Sequence, residues 1–457
     1  MRHFKLALTV MAAAVIAGCG GSDPRPGDQT PKTKYSAQVT FGDSLVDVGT
    51  YKVGTVAALG GGTFTINGDN TAVNPALTGK NWTELIAAQL GLPKPCPAVT
   101  GLDGDPTKGF SVPVQAHTGC YGYAQGGSRV SNPVGIGHKL TGSPLGALTY
   151  PFTTQVKNHL AAVGGKFKGD EIVFVLTGNN DLLFGMEQLK ASATAAGTSA
   201  GKTAFVTSLA TQLAAGATNP TTAVQSISIA MATEAARPGS TDASVVTAAV
   251  TAAVLAGNTA AGSPAVYGPM VAKAQTDAAA AGAKAGADYF AANAPAVVQS
   301  LATAASEIVA TVKTQLIGNG ANFVTVVGMP DIATTPAGRG TTDAARSVIN
   351  AAVKAFNDTV TAGLSGESKV LLIDAYTLTH DQATNPGIYG LTNSSDTACD
   401  LTPAKNPLES SLVCNANNLK AGDVSHYAFA DTVHPTPYMH LQAARYISER
   451  LIAKGWM

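Results

Sequence analysis

Charge is scarce in this chain. Asp, Glu, Lys and Arg make up only 13% of its 457 residues, and 29 basic against 29 acidic side chains leave a formal net charge of zero. No basic stripe marks a nucleic-acid surface and no acidic tail marks a disordered effector, so nucleic acid is not an expected partner. Long apolar runs are missing as well. Leu6–Ala17 and Val245–Leu255 span about 12 and about 11 residues, well short of the ~20 that a membrane-crossing helix needs. Cysteines number five, and none sits in a Cys-x-x-Cys or beside paired histidines, which removes the usual ligand spacing of a metal site. Length is the one bulk property in good supply, and it suffices to bury a large core.

What is present points to export. Ala, Gly, Ser and Thr are abundant, and Arg2, His3 and Lys5 precede the first apolar run, which ends in Ile16-Ala17-Gly18-Cys19. A basic start, a short apolar stretch and small residues at the cut describe a secretory signal over residues 1–18. A Cys directly after Ala-Gly resembles a bacterial lipoprotein signal, which implies Cys19 as a lipidated first residue and a membrane anchor. Gly20 stands where Asp would imply retention at the inner membrane, so the resemblance implies the cell envelope, as an outer-membrane lipoprotein or in the periplasm, with secretion the alternative. Residues 19–35 are Pro, Gly and charge without periodicity, a flexible tether. Setting Cys19 aside leaves two local pairs, Cys96 with Cys120 and Cys399 with Cys414, each among Gly, Pro, Asn and Asp. In an oxidising compartment these read as two loop-stapling disulfides.

The periodicity predicts an α/β class. Val39 and Phe41 flank Thr40 in an apolar strand that ends at Gly42-Asp43-Ser44. Asp170–Thr177, Asn322–Gly328 and Ser368–Asp374 are continuous apolar runs of the kind a sheet buries on both faces. Between the last two, Thr342 and Asp343 cap a helix with Val348, Ala352, Ala355 and Phe356 on one side and Gly363 just beyond. Strand, helix, strand in this order predicts a parallel sheet with helices on its faces. Residues 60–150 are rich in Gly, Pro, Asn and Thr and read as loops, with one helix at Trp82–Leu90. The final helix has Thr436 as cap, Pro437 at its first position, a stripe of Leu441, Ala444, Ile447 and Leu451, and Gly455 at its end. Residues 188–315 differ: they are Ala-rich, low in charge and broken near Ala217–Pro220, Pro238–Gly239 and Gly262–Pro264. They predict several helices in an insertion that either covers a site or stands apart from it.

Several stretches carry chemistry. Ser44, at the carboxyl edge of a strand, is either a turn hydroxyl or a nucleophile. Asp431-Thr-Val-His434 supplies a base and a carboxylate to orient it from one turn, which is what a weak hydroxyl nucleophile needs. Asn180, in Gly178-Asn179-Asn180-Asp181 after an apolar strand, offers an amide to a developing oxyanion. Gly126 and Gly127 offer backbone N–H groups that no Cβ obstructs. His426 and His440 lack an Asp at the same offset and read as structural or rim residues. Gly197-Thr-Ser199-Ala-Gly201 matches G-x-S-x-G, but that elbow requires a preceding strand and Glu187–Ala196 reads as helix, so the match is compositional.

Together, four of these stretches resemble the SGNH hydrolase (GDSL lipase/esterase) family. They are Gly42-Asp43-Ser44-Leu45, Tyr123-Ala124-Gln125-Gly126-Gly127, Gly178-x-Asn180-Asp181 and Asp431-x-x-His434-Pro435, in the family's order. The likeness runs from Gln38 to the C-terminus, the Ala-rich insertion excepted. It implies one hydrolase domain over 36–457 with a three-layer α/β/α, flavodoxin-like core. It also implies Ser44 as nucleophile, His434 as base and Asp431 as orienter, with the Ser44 and Gly127 N–H groups and the Asn180 side chain as oxyanion donors. The family's second block opens with Asn where this chain has Gly122, which leaves both Gly126 and Gly127 open as the donor. The implied activity is hydrolysis of carboxylic esters of small molecules or lipids through an acyl-enzyme, with no metal or organic cofactor. Acyl transfer to a lipid or glycan alcohol, and a vestigial site on a binding lipoprotein, are the alternatives.

Overall fold

The computed structural model describes residues 33–68 and 79–457. The expected signal peptide, Cys19 and the tether as far as Lys32 lie outside the described residues. The chain enters on β1 (Gln38–Gly42) and makes an antiparallel hairpin of β2 (Val99–Asp103) and β3 (Ser111–Ala116). It then returns to the sheet of β1 with β4 (Ile172–Leu176), β5 (Phe323–Val327) and β6 (Val370–Ile373). That sheet is parallel throughout and ordered β1-β4-β5-β6. Residues Tyr121 to Gln125 run along the free edge of β1. The Thr40 N–H donates to the Tyr121 carbonyl at 3.0 Å, and the Tyr123 and Gln125 N–H groups donate to Thr40 and Gly42 at 2.8 and 3.1 Å. A short parallel pair, β7 (Asn393–Thr397) and β8 (Tyr427–Phe429), lies apart from the sheet.

Alternation along the strands sends side chains to two cores. Val39, Phe41, Val173, Val175, Val324 and Val326 share one buried cluster, while Ile172, Phe174, Leu176, Val327 and Ile373 share another. Helices cover both faces. The second cluster is closed by α1 (Trp82–Gln89), through Trp82 and Ile86, and by the C-terminal helix, through Ala444, Ile447 and Leu451. The first is closed by α2 (Phe152–Ala162), the opening turns of α3 (Asn179–Ala214), and two later helices. The expected disulfides Cys96–Cys120 and Cys399–Cys414 are both formed, which fits an oxidising compartment.

The Ala-rich stretch is helical, with breaks where the sequence placed them: α4 (Pro220–Ala235), α5 (Asp242–Leu255) and α6 (Pro264–Thr311) follow α3. Its boundary differs, because α3 begins at Asn179 and runs through residue 188 without interruption. Helix α6 also carries Pro269 and Pro295 in its interior. Gly197 and Gly282 approach so closely that a Cβ on either would sit under 3 Å from the other's carbonyl, and Gly286 faces Ala193. The helices are therefore antiparallel with Gly201 and Gly197 on the seam. The exposed Ser199 lies inside α3, so the G-x-S-x-G stretch is a run of small residues that lets two helices meet.

The arm's direction follows from its ends. Asn319 to Asn322 lie at the amino end of β4, with the Phe167 N–H donating to the Asn319 carbonyl and the Asn322 amide to Gly169, both at 2.9 Å. Helix α3 starts at the opposite, carboxyl end. The part of α6 from Val297 onward and the opening turns of α3 as far as Leu189 belong to the sheet-side cluster; the rest of both helices stands out beyond the carboxyl edge. Two further elements complete the fold: α7 (Asp343–Leu364), capped by Thr342, and α8 (Ala375–Thr384), ahead of the C-terminal α9 (Pro437–Lys454). Gly363 proves to lie within α7, where a Cβ would run into Val309 of α6. The hairpin of β2 and β3 was not expected from a stretch so rich in Gly and Pro.

Candidate active site

Ser44 opens a single 3-10 turn, Ser44–Val46, directly off the end of β1. Gly42 makes the exit possible: its φ is +147°, and a Cβ there would run into the Leu176 carbonyl. Asp43 caps the turn. One of its oxygens accepts from the Leu45 N–H at 3.1 Å and the other from the Asn179 amide at 2.9 Å, tying the end of β1 to the end of β4. Burial pushes the Asp43 carboxyl up to about 6, against both bonds.

His434 and Asp431 sit on the loop between β8 and α9. The His434 ring reaches Ser44 with Nε2 2.8 Å from Oγ, while Nδ1 lies 2.8 and 2.9 Å from the two Asp431 oxygens. Asp431 is buried and fully engaged: it also accepts from the backbone N–H groups of Val433 at 3.0 Å, His434 at 2.8 Å and Ser411 at 2.7 Å. Burial alone would raise its carboxyl. The adjacent His434 and these hydrogen bonds outweigh it and hold the group well below the usual carboxylate range. An ionised carboxylate there takes the Nδ1–H, which leaves Nε2 bare to accept the Ser44 proton; the tautomer follows from this network. Phe64 packs over the imidazole, ring centres 5.0 Å apart.

The structure distinguishes Gly126 from Gly127. The Gly126 N–H donates to Asp47 Oδ2 at 3.0 Å and is therefore spoken for. The N–H groups of Gly127 and Ser44 donate to nothing among the described residues. Gly127 has φ +80° and presses against the Ile136 carbonyl, so only glycine fits. Asn180 spends one amide hydrogen on the Ser128 carbonyl at 2.9 Å, which fixes the side chain and leaves the second hydrogen for a ligand. Ser44, Gly127, Asn180 and His434 all line one cavity of about 490 Å³, within the range of small-molecule sites.

The rest of that wall is mostly apolar: Leu45, Phe64, Trp82, Leu145, Ile332 and Met439 contribute to it. No residue of 188–315 does. His440, read from the sequence as structural or rim, lines the cavity and is buried; burial and the nearby His434 push its imidazole down to about 3. It therefore stays neutral and would add no repulsion were His434 to take up a proton. His426 packs on the Tyr438 ring. Sequence reasoning did not single out Asp47, Phe64 or Gln382, nor the pair Asp331 and His380, whose Oδ2 and Nδ1 are 2.7 Å apart. No described hydroxyl or thiol is bonded to the His380 ring, and the pair touches the cavity through Asp331 alone. No known family model matches the chain, and a search of curated proteins returns no match.

Proposed function

We propose that this protein is an exported serine esterase of the SGNH (GDSL) type, built on a flavodoxin-like core, that hydrolyses carboxylic esters through an acyl-enzyme. The observation that carries the reading is the unbroken relay Ser44–His434–Asp431, at 2.8 Å per link, opening on a cavity that also holds free N–H donors. The Tyr121–Gln125 segment supports the core assignment, since it makes the sheet order of a flavodoxin-like domain: an edge segment, β1, β4, β5, β6.

The chemistry follows from the groups in place. Ser44 Oγ attacks the ester carbonyl as His434 Nε2 takes its proton. The Ser44 and Gly127 N–H groups and the Asn180 amide receive the negative oxygen, and Asp431 stabilises the imidazolium. His434 then returns its proton to the departing alcohol. Water, deprotonated by the same imidazole, attacks the acyl-enzyme, and the imidazolium returns that proton to Ser44 Oγ as the acid is released. The two disulfides and the basic-apolar-small N-terminus support export, with Cys19 as the proposed lipid attachment.

Aryl ester hydrolysis by wild type, Ser44→Ala and His434→Ala tests the reading. Each variant is expected to lose kcat by on the order of 10⁴-fold or more, and a serine-reactive phosphonate should label wild type but not Ser44→Ala. Equal labelling of both proteins would overturn the assignment. Glycerol in the reaction separates hydrolase from transferase: free acid is the expected main product, and dominant ester exchange would make the enzyme a transferase.

A further inference from the structure

The cavity is apolar but not wholly so, and its exceptions are unusual. Gln382, in the last turn of α8, is 2% exposed, lines the cavity, and has neither amide atom hydrogen-bonded among the described residues. His440 Nδ1, on α9, is likewise buried and unpartnered. Buried polar groups are almost always satisfied, so an amide with both ends open, on the wall of a cavity, is waiting for a partner from the ligand. The same two helices also bring Leu378, Ala383, Met439 and Ile447 to the wall.

Position sets where on the substrate that partner lies. Helix α8 starts at the carboxyl end of β6, and β6 stands three strand spacings from β1, which carries Ser44. Three spacings come to about 14 Å between the strand ends from which Ser44 and α8 start, which sets the partner on the ester's chain and not beside the reacting carbonyl. Chemistry sets what it is. The amide oxygen accepts and the amide nitrogen donates. A carboxylate would leave the oxygen facing an anion, and an ammonium has nothing for the nitrogen to donate to. A hydroxyl does both and is small enough for an apolar chain to carry.

We infer that Gln382 makes this site selective for esters whose otherwise apolar chain bears a hydroxyl distant from the scissile bond. The inference rests on the esterase reading above and deepens it. Gln382 is a specificity residue and takes no part in the acyl transfer.

The experiment compares kcat/KM for aryl esters of straight-chain acids of increasing length, each with a methyl end and with a terminal hydroxyl. Wild type, Gln382→Met and Ser44→Ala are run side by side. Wild type is expected to favour the hydroxylated ester at least tenfold at one or two intermediate-to-long chain lengths, because a site that hydrogen-bonds a hydroxyl discriminates against its absence. Gln382→Met, of similar shape, should bring the two esters within about twofold. The aryl acetate, too short to reach Gln382, should react alike in wild type and Gln382→Met, showing that the variant is folded. Ser44-dependent hydrolysis with no hydroxyl preference at any length, or a preference that survives Gln382→Met, overturns this inference alone. Hydrolysis undiminished in Ser44→Ala overturns the esterase reading instead.

Discussion

At the scale of single residues, Asp47 decides which of the two glycines keeps a free N–H for the proposed oxyanion. Its Oδ1 accepts from the Gly49 and Thr50 N–H groups at 2.9 and 2.8 Å, and its Oδ2 takes the Gly126 N–H. Asp47→Asn keeps one acceptor but turns an amide NH₂ toward the Gly126 N–H, so two donors meet and the Gly126-Gly127 turn must shift. We expect kcat on aryl esters to fall by about 10- to 100-fold, with KM little changed, as for partial loss of an oxyanion donor; an unchanged kcat would remove Asp47 from the site. Burial holds the Asp47 carboxyl up at about 6. A raised carboxyl binds more protons folded than unfolded between about pH 4 and 6, so its contribution to stability declines as pH rises through that window. The Tm of wild type minus that of Asp47→Asn should therefore shrink from pH 4 to pH 7. None of this was legible in the sequence, because Asp47 and Gly126 lie 79 positions apart and nothing local links them. Ser44, Asn180 and the Asp431–His434 pair were legible for the opposite reason: each follows an apolar strand or shares one turn with its partner.

At the scale of elements, local rules carried far. Thr342 and Thr436 cap where the sequence placed caps, and the buried runs became β4, β5 and β6 within two residues at each end. The failures came where glycine served packing instead of a turn. Gly363 looked like a helix end and is a contact point for Val309; Gly197 and Gly201, rightly set aside as an elbow, form a helix seam that no local pattern marked. Period and propensity describe one segment at a time, whereas these glycines are explained by a second helix far along the chain. The seam can be tested directly. Gly197→Leu places a branched side chain against the Gly282 carbonyl, where a single Cβ already meets the backbone at 2.7 Å. The backbone cannot yield as a side-chain tip would, so α3 and α6 must separate. The expected result is faster proteolytic cleavage within 188–315, with phosphonate labelling of Ser44 retained. Cleavage at the wild-type rate would mean that the seam tolerates bulk and the close approach is incidental.

At the scale of the whole molecule, the arm and the sheet-side core are separately built. Leu209, Leu213, Ile227, Met231, Ala249 and Ala274 form a buried cluster far from both sheet cores, so the outer arm has its own apolar centre. Helix α3, with 36 residues at about 1.5 Å each, extends some 50 Å from the edge that holds Ser44. The sequence left a lid and a separate subdomain equally open, and the cavity walls come from segments such as Ile136–Ala147, Pro330–Thr335 and Pro407–Leu412. Composition alone marked the insertion, and composition does not say which way a helix points. Replacing Gly201–Gly282 with a short Gly/Ser link keeps Leu189, Ala193, Val297 and Leu301, which belong to the sheet-side core or adjoin it. The shortened protein should hydrolyse soluble aryl esters with kcat/KM within about twofold of wild type and with the same chain-length preference. It should also lose a low-stability unit: hydrogen exchange in wild type is expected to show 201–282 opening without the core, since the two clusters share no residues. A changed chain-length preference after excision would mean that the arm folds back over the cavity in solution, and the separation of arm from chemistry would not stand.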